Sequence, residues 1–374
     1  MTKPFAIIRK CIYLTILIVF IIVWAVLKNN PDIAEGVTRG IVRTTGQGSA
    51  FLSGLIPFLS LTEVFFLLII SLIILLVVLA IRDFLHLHPI KAVSKLLDIP
   101  LIVLLIIAHY SFACEMAYNR KEMPLPYYET EVERDDFVKI YNYFADDLNQ
   151  CISEVEFETN GDLKEMKLDE LTKEVKNAYA IVNDPYFNSY FGAVKPMLSS
   201  FLYREFQITG VTYSPFMEAN INTLNTHVDL PLTVAHELAH TKGVMREDDA
   251  NLLAFYVCVN SDNPYLRYSA YYGYFWQLSN MTSTTYLKDE QRENLHPING
   301  QFNKTLVYAY EYWKKHDLLG DIGEFFNNLY IKSSGVEEGT ASYNGGTDYE
   351  VDPLTNKLYA SPYQKLFFEK YYRK

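Results

Sequence analysis

Apolar residues are concentrated in the first third of the chain, in uninterrupted stretches rather than in an alternating pattern. Cys11 to Leu27 is seventeen residues without a charge, and Val64 to Ile81 is eighteen. Both stretches are long enough for a helix that crosses a bilayer. A third stretch, Ile99 to Cys114, is shorter and contains Pro100 and His109. The pattern predicts three transmembrane helices, at about 11–27, 64–81 and 99–116.

Two features of this region allow other interpretations. The stretch from Phe51 to Leu61 is apolar but contains Gly54 and Pro57, and we interpret it as an interfacial or re-entrant segment. The first apolar stretch can also be a cleaved signal peptide. Its long apolar core and the lack of an A-x-A cleavage site directly after it argue against that alternative.

Positive charges in the short loops predict the orientation of these helices. Lys3, Arg9 and Lys10 lie in the first ten residues without an acid, and the loop from Arg82 to Asp98 is again basic. In the longer loop from Lys28 to Glu63 the cations are spread out and offset by acids. We therefore expect a multi-pass protein of the cell membrane with a cytoplasmic N-terminus and an extracytoplasmic C-terminal part.

The chain should then divide into a membrane anchor, residues 1–119, and an outer domain, residues 120–374. In the outer domain, Asp135 to Cys151 has the periodicity of an amphipathic helix, whereas Phe206 to Leu224 changes to short β-like runs. The fold class is accordingly mainly helical (α+β), with a small β-sheet just upstream of the motif described below. Further helices are expected over 171–182, 302–313 and 322–330 and from Pro362, and a loop over 335–352.

Charge and cysteine content narrow the range of functions. The net charge of −11 argues against a nucleic-acid partner, which requires a basic surface. Four cysteines are too few for a disulfide scaffold. Cys151 and Cys258 can pair outside the membrane, although Cys258 lies in an apolar helical stretch that favours a buried thiol.

The residues His236-Glu237-Leu238-Ala239-His240 form an H-E-x-x-H motif. On a helix, positions four apart share a face, so His236 and His240 can reach one ion while Glu237 faces the same cavity. Two neutral imidazoles, a third ligand and a carboxylate that accepts a proton are what zinc-dependent hydrolysis requires. The alternative is a surface helix with two histidines that bind no metal.

The third ligand must come from elsewhere in the chain. Glu247 and Asn251 lie one turn apart in a second helical stretch, so Glu247 can bind zinc while Asn251 supports a histidine ligand. This spacing is similar to the E-x-x-A-D element of gluzincin peptidases, which usually have Asp where this chain has Asn251. Asp248 is the alternative ligand. A third histidine in the metzincin position would fall at Arg246, which cannot bind a metal.

An aromatic stretch follows, from Tyr265 to Leu278. Tyr268, Tyr271 or Tyr272 can donate a hydrogen bond to the oxyanion of a tetrahedral intermediate. Packing in the core or against the membrane is the alternative for the whole set.

Several motifs together resemble the bacterial membrane proteins grouped as DUF3810. The matching segments are 117–120, 213–216, 218–222, 236–240, 246–251, 268–271 and 338–343. The resemblance implies a multi-pass membrane protein with a zincin-like extracytoplasmic domain and implies no known substrate. It also suggests that a strand before the motif aligns an extended peptide, for which an ordinary scaffold hairpin is the alternative. Asp249 and Ala270 depart from the residues expected at those positions.

These observations predict a membrane-anchored zinc metallopeptidase. His236, His240 and Glu247 would hold Zn²⁺, Glu237 would act as general base, and the partners would be the lipid bilayer and a peptide or protein substrate. A zinc-binding sensory or scaffold protein without turnover is the alternative. An intramembrane protease is disfavoured because the flanks of the motif are too polar for lipid.

Overall fold

A computed structural model describes residues 3–130, 132–213, 215–283, 286–333, 340 and 360–373. The chain forms two compact units. Unit 1 comprises Met1–Glu122 together with Tyr213–Glu218, and unit 2 comprises Met123–Thr212 and Ala219–Lys374. The loop predicted over 335–352 lies almost entirely outside the described residues.

The described part of unit 1 is helical. Its helices are α1 (Lys3–Leu27), α2 (Pro31–Val37), α3 (Arg43–Gly54), α4 (Leu61–Leu85), α5 (Pro89–Leu96), α6 (Asp98–Tyr110) and α7 (Met116–Tyr118), with π-helical turns at Thr38–Val42 and Ser111–Glu115. Among the described residues, two helical segments, Phe5–Leu27 and Leu61–Leu85, are long and apolar enough to cross a membrane. Almost none of the residues in these two segments is buried inside the protein.

The prediction of a third transmembrane helix over 99–116 is wrong. Helix α6 has 13 residues and continues directly into the π-helical turn and the short helix α7. Residues 113–118 of this helical run, including the charged Glu115, are buried within the protein, unlike the residues of the two long apolar helices. A π-helical turn interrupts the regular hydrogen-bond ladder, and apolar composition alone gives no sign of it.

A buried carboxylate, that of Glu218, contacts the helices of unit 1. Glu218 is fully buried and accepts hydrogen bonds from Ser53 Oγ at 2.8 Å and from the Thr62 amide and hydroxyl, each at 3.0 Å. The amide of Leu61, the first residue of α4, also donates to it at 3.3 Å. A negative charge at a helix N-terminus satisfies free amides and is favoured by the helix dipole.

Unit 2 is mostly helical with a small sheet, as predicted. Its helices are α8 (Arg134–Glu154), α9 (Leu168–Ala178), α10 (Ser200–Glu205), α11 (Leu230–Thr241), α12 (Glu247–Val259), α13 (Pro264–Gly273), α14 (Phe275–Ser279), α15 (Asp289–Arg292), α16 (Gly300–Lys315), α17 (Gly320–Ser333) and α18 (Pro362–Tyr372). The strands are β1 (Ala193–Pro196), β2 (Gly210–Tyr213) and β3 (Glu218–Ile221) in the order β1-β3-β2. Strand β2 is therefore at an edge of the described sheet.

The core of unit 2 forms around α11 and α12. Every residue of α12 from Leu252 to Val259 is buried, so this helix is enclosed by its neighbours rather than amphipathic. Cys151 and Cys258 are both buried and free. Cys258 is thus the buried thiol that its apolar surroundings predicted, and it forms no disulfide with Cys151.

A buried ion pair joins α18 to the core. Lys370 Nζ lies 2.8 Å from Asp147 Oδ2 on α8 and donates to the Val259 carbonyl at 2.6 Å. Arg267 Nε lies 3.3 Å from the other oxygen of Asp147. Burial lowers the pKa of Lys370, and the carboxylate of Asp147 opposes that shift.

Replacing Lys370 by Met should destabilise the protein by about 3 kcal/mol, because Asp147 loses its main counter-charge in a buried site. The matched control is Lys365→Met, since Lys365 pairs with the exposed Glu129 and should contribute less than about 1 kcal/mol. The measurement is the unfolding midpoint of the full chain in detergent. Equal shifts for the two variants would contradict a structural role for the buried pair.

Candidate metal centre

Helix α11 carries the motif and ends in a tight turn. All but two of its residues are buried, as expected for a helix enclosed by the core. Gly243 has a φ of +88°, a left-handed conformation that glycine adopts without strain and that commonly ends a helix. The turn brings the Val244 carbonyl back to His240, whose Nδ1 lies 2.8 Å from it.

Helix α12 begins at Glu247, directly after this turn. Three acids, Glu247, Asp248 and Asp249, occupy its first turn, where negative charge is favoured by the helix dipole. Only six residues separate His240 from Glu247, so the two helices are neighbours both in sequence and in space. The first residue of α12 thereby faces the motif on α11.

Three donor atoms converge between the two helices. The Nε2 atoms of His236 and His240 are 3.1 Å apart. Glu247 Oε2 lies 3.1 Å from the Nε2 atom of His236 and 3.7 Å from that of His240. Within the described part of the chain, these three residues form a group of His and Glu side chains whose spacing fits the ligands of a metal ion.

The distances fit a small divalent cation. A triangle with sides of 3.1, 3.1 and 3.7 Å has a circumscribed radius of about 1.9 Å, close to the zinc–nitrogen and zinc–oxygen bond lengths. Three ligands of this kind would leave one position of a tetrahedral site open, which is the pattern of catalytic rather than structural zinc sites.

The protonation of the rings fits the same cation. Nδ1 of His236 lies 2.8 Å from Asn251 Oδ1, and Nδ1 of His240 lies 2.8 Å from the Val244 carbonyl. Both partners are acceptors, so each neutral ring carries its proton on Nδ1 and presents a lone pair at Nε2. Two lone pairs and the carboxylate of Glu247 then face one another, an arrangement that a cation stabilises.

Glu237 follows His236 on α11 and is enclosed by protein. Its side chain is buried, and burial raises the pKa of its carboxyl group to about 7. The charge of His240 and a hydrogen bond from Thr212 lower this pKa, whereas the charge of Glu247 raises it. The carboxyl group is therefore within electrostatic reach of two of the proposed ligands.

Strand β2 contacts Glu237 through two residues that the sequence did not indicate. Thr212 Oγ1 lies 2.8 Å from Glu237 Oε2. A Cβ atom on Gly210 would lie 2.5 Å from Glu237 Oε1 and 2.8 Å from its Cδ. Gly210 and Thr212 are two apart on a strand and thus share a face, which is the sequence signal that could have identified them.

The alternative ligand, Asp248, has another partner. Its carboxylate oxygens accept hydrogen bonds from Arg246 Nε at 3.1 Å and Nη2 at 2.7 Å. The structure thus brings Glu247, and not Asp248, to the two histidines. Asn251 also lies where it was expected, against His236.

Tyr268 and Tyr271, two of the three tyrosines considered as oxyanion donors, direct their hydroxyl groups at other side chains. Tyr268 is fully buried and donates to Thr305 Oγ1 at 2.8 Å, and Tyr271, also fully buried, donates to Asp147. An oxyanion donor must direct its hydroxyl at the substrate, so neither residue fits that role as placed. Tyr274, which was not singled out from the sequence, has its hydroxyl 3.3 Å from the Asn251 carbonyl.

Comparison with known proteins identifies the family. No curated protein and no solved structure matches the chain. The family model described as "Protein of unknown function (DUF3810)" matches residues 37–349. Because this match covers most of the sequence, the chain belongs to the DUF3810 family.

Proposed function

We propose that this protein is a membrane-anchored, zinc-dependent metallopeptidase with a zincin-like catalytic domain. The observation that carries the proposal is the convergence of two Nε2 lone pairs and one carboxylate oxygen within 3.7 Å of one another. His236, His240 and Glu247 would hold the metal. Two imidazoles and one carboxylate, with a fourth position left for water, are a ligand set of catalytic zinc sites.

Zn²⁺ bound by such a ligand set lowers the pKa of water and acts as a Lewis acid toward a carbonyl group. Glu237 supplies the acid–base chemistry. Its carboxylate accepts a proton from the water that attacks the peptide carbonyl, and the protonated acid then donates that proton to the leaving amine.

The edge strand supports a peptide as the substrate. Strand β2 lies at the edge of the sheet, and an edge strand offers main-chain groups to a further extended chain. Its residues Gly210 and Thr212 face Glu237. A peptide added to β2 would therefore pass beside the proposed general base.

A zinc-binding sensory or scaffold protein without turnover would use the same three ligands. Glu237 is the residue that separates the two functions, because a peptidase needs a carboxylate beside the metal and a zinc-binding scaffold does not. Burying a carboxyl group costs free energy. Because Glu237 is not one of the three proposed ligands, metal binding alone does not account for its burial, whereas a role as general base does.

Zinc binding is the first prediction. The purified full chain should contain about one equivalent of zinc, and His236→Ala, His240→Ala or Glu247→Gln should each weaken binding by more than about 100-fold, beyond the effect of losing a supporting residue. The measurement is metal content by mass spectrometry after dialysis against a weak chelator.

Two variants serve as controls for this experiment. Asp248→Asn removes the neighbouring carboxylate that pairs with Arg246, and His296→Ala removes an exposed imidazole that contacts Asp146. Both should retain zinc. Loss of zinc in Asp248→Asn with retention in Glu247→Gln would show that Asp248, and not Glu247, is the third ligand.

Hydrolysis is the second prediction. Glu237→Gln should keep its zinc and lose about 10²- to 10⁴-fold in turnover, because the amide cannot accept the proton. The measurement is cleavage of a fluorogenic peptide library by the full chain in detergent. A wild-type protein that holds zinc but cleaves nothing, like the variant, would support the function without turnover.

The location of unit 2 is the third prediction. We infer from the basic N-terminus and the basic loop over 82–98 that unit 2 is extracytoplasmic. Two long helices alone would return the chain to the side of its N-terminus, so fusions before and after the segment 98–118 test on which side unit 2 lies. Alkaline phosphatase fused after Lys121 should be active in cells, whereas fusion after Lys91 should be inactive. Inactive fusions at both positions would place unit 2 in the cytoplasm.

A further inference from the structure

Two residues on one face of β2 define the space that the Glu237 side chain occupies. On one side, the backbone at Gly210 approaches so closely that a Cβ atom would lie 2.5 to 2.8 Å from three atoms of the Glu237 side chain. On the other side, Thr212 Oγ1 lies 2.8 Å from Glu237 Oε2. Gly210 therefore limits the space of the Glu237 carboxyl group, and Thr212 holds one of its oxygens by a hydrogen bond.

The Thr212 hydroxyl connects the strand to the helix as well as to the carboxylate. The same Oγ1 atom lies 3.1 Å from the main-chain carbonyl of Glu237 on α11. One hydroxyl therefore lies within hydrogen-bond distance of both the backbone and the side chain of one residue. The position of the Glu237 carboxylate is therefore fixed by strand β2 as well as by helix α11.

A glutamate needs such a contact if it is to act as a base. Its side chain has three torsion angles, and the last of them, between sp³ and sp² atoms, has a broad energy minimum. Without a hydrogen bond to one oxygen, the carboxylate can rotate within the space beside Gly210. A misplacement of about 1 Å is enough to lower a rate by about 100-fold.

We propose that Thr212 is a positioning residue, which orients the carboxylate of Glu237 from the edge strand. The inference rests on the proposed function, since it assigns an orienting role to a residue that contacts the general base. Both hydrogen-bond contacts of the Thr212 hydroxyl are with Glu237, which is not one of the proposed metal ligands. It acts through Glu237 alone.

The test compares Thr212→Val, which keeps the branched shape but removes the hydroxyl, with Thr212→Ser, which keeps the hydroxyl. Both are made in the full chain and assayed in detergent with the fluorogenic peptide that the wild-type protein cleaves fastest. Thr212→Val should lower kcat by about 10- to 100-fold, with KM within about twofold and zinc content unchanged. Thr212→Ser should restore most of kcat.

Two results would overturn the inference. One is a Thr212→Val enzyme with the kcat of the wild type. The other is a parallel loss of zinc, kcat and folded protein in both variants, which would indicate a structural role for the strand position rather than a contact with the base.

The contact can also be tested if the wild-type protein cleaves no peptide, a result that would refute the proposed peptidase. Thr212→Val is then made in the wild-type and the Glu237→Ala backgrounds, and the unfolding midpoints are compared. A shift that differs between the two backgrounds shows that Thr212 and Glu237 are coupled. Equal shifts would overturn the contact itself.

Discussion

Two hydrogen bonds determine what the site can bind. Nδ1 of His236 donates to Asn251, and Nδ1 of His240 donates to the Val244 carbonyl, each over 2.8 Å. A second partner of this kind fixes the tautomer and the orientation of a ligand histidine. With Nδ1 protonated in both rings, both lone pairs point at Glu247. If either bond were lost, the ring could rotate and the triangle of donors would open.

The proposed metal centre is local in sequence. Its three donor residues and the partners that orient the two histidines all lie between His236 and Asn251, on two helices joined by a short turn. Gly243 makes this possible, since its positive φ lets α11 end and α12 begin within a few residues. The rest of unit 2 buries this pair of helices, while strand β2 supplies the contacts to Glu237 from outside the segment.

The parts of the site that could be predicted from sequence depend on fixed helical spacing. His236 and His240 lie four residues apart, and so do Glu247 and Asn251, which places each pair on one face whatever the surroundings. The roles of Tyr268 and Tyr271 could not be predicted, because their hydroxyl partners come from α16 and α8, far along the chain. Likewise, Val244 acts through its main-chain carbonyl, about which its side-chain type is uninformative.

The fold also has parts that could be predicted from the sequence and parts that could not. The small sheet, the mainly helical unit 2 and the terminal helix from Pro362 follow from periodicity and capping residues. The error over the third membrane helix has another origin, since the π-helical turn after Tyr110 and the burial of residues 113–118 depend on backbone geometry and tertiary packing. The inclusion of Tyr213–Glu218 in unit 1 was also unforeseen, because the buried carboxylate of Glu218 contacts residues more than 150 positions away.

X-ray absorption at the zinc K-edge of the purified full chain tests the central claim most directly, because it reports the atoms bound to the metal. The structure predicts a first shell of nitrogen and oxygen only, at about 2.0 Å, with outer-shell scattering from two imidazole rings. Sulfur at about 2.3 Å, or a shell without imidazole, would contradict the assignment of His236, His240 and Glu247 as the ligands.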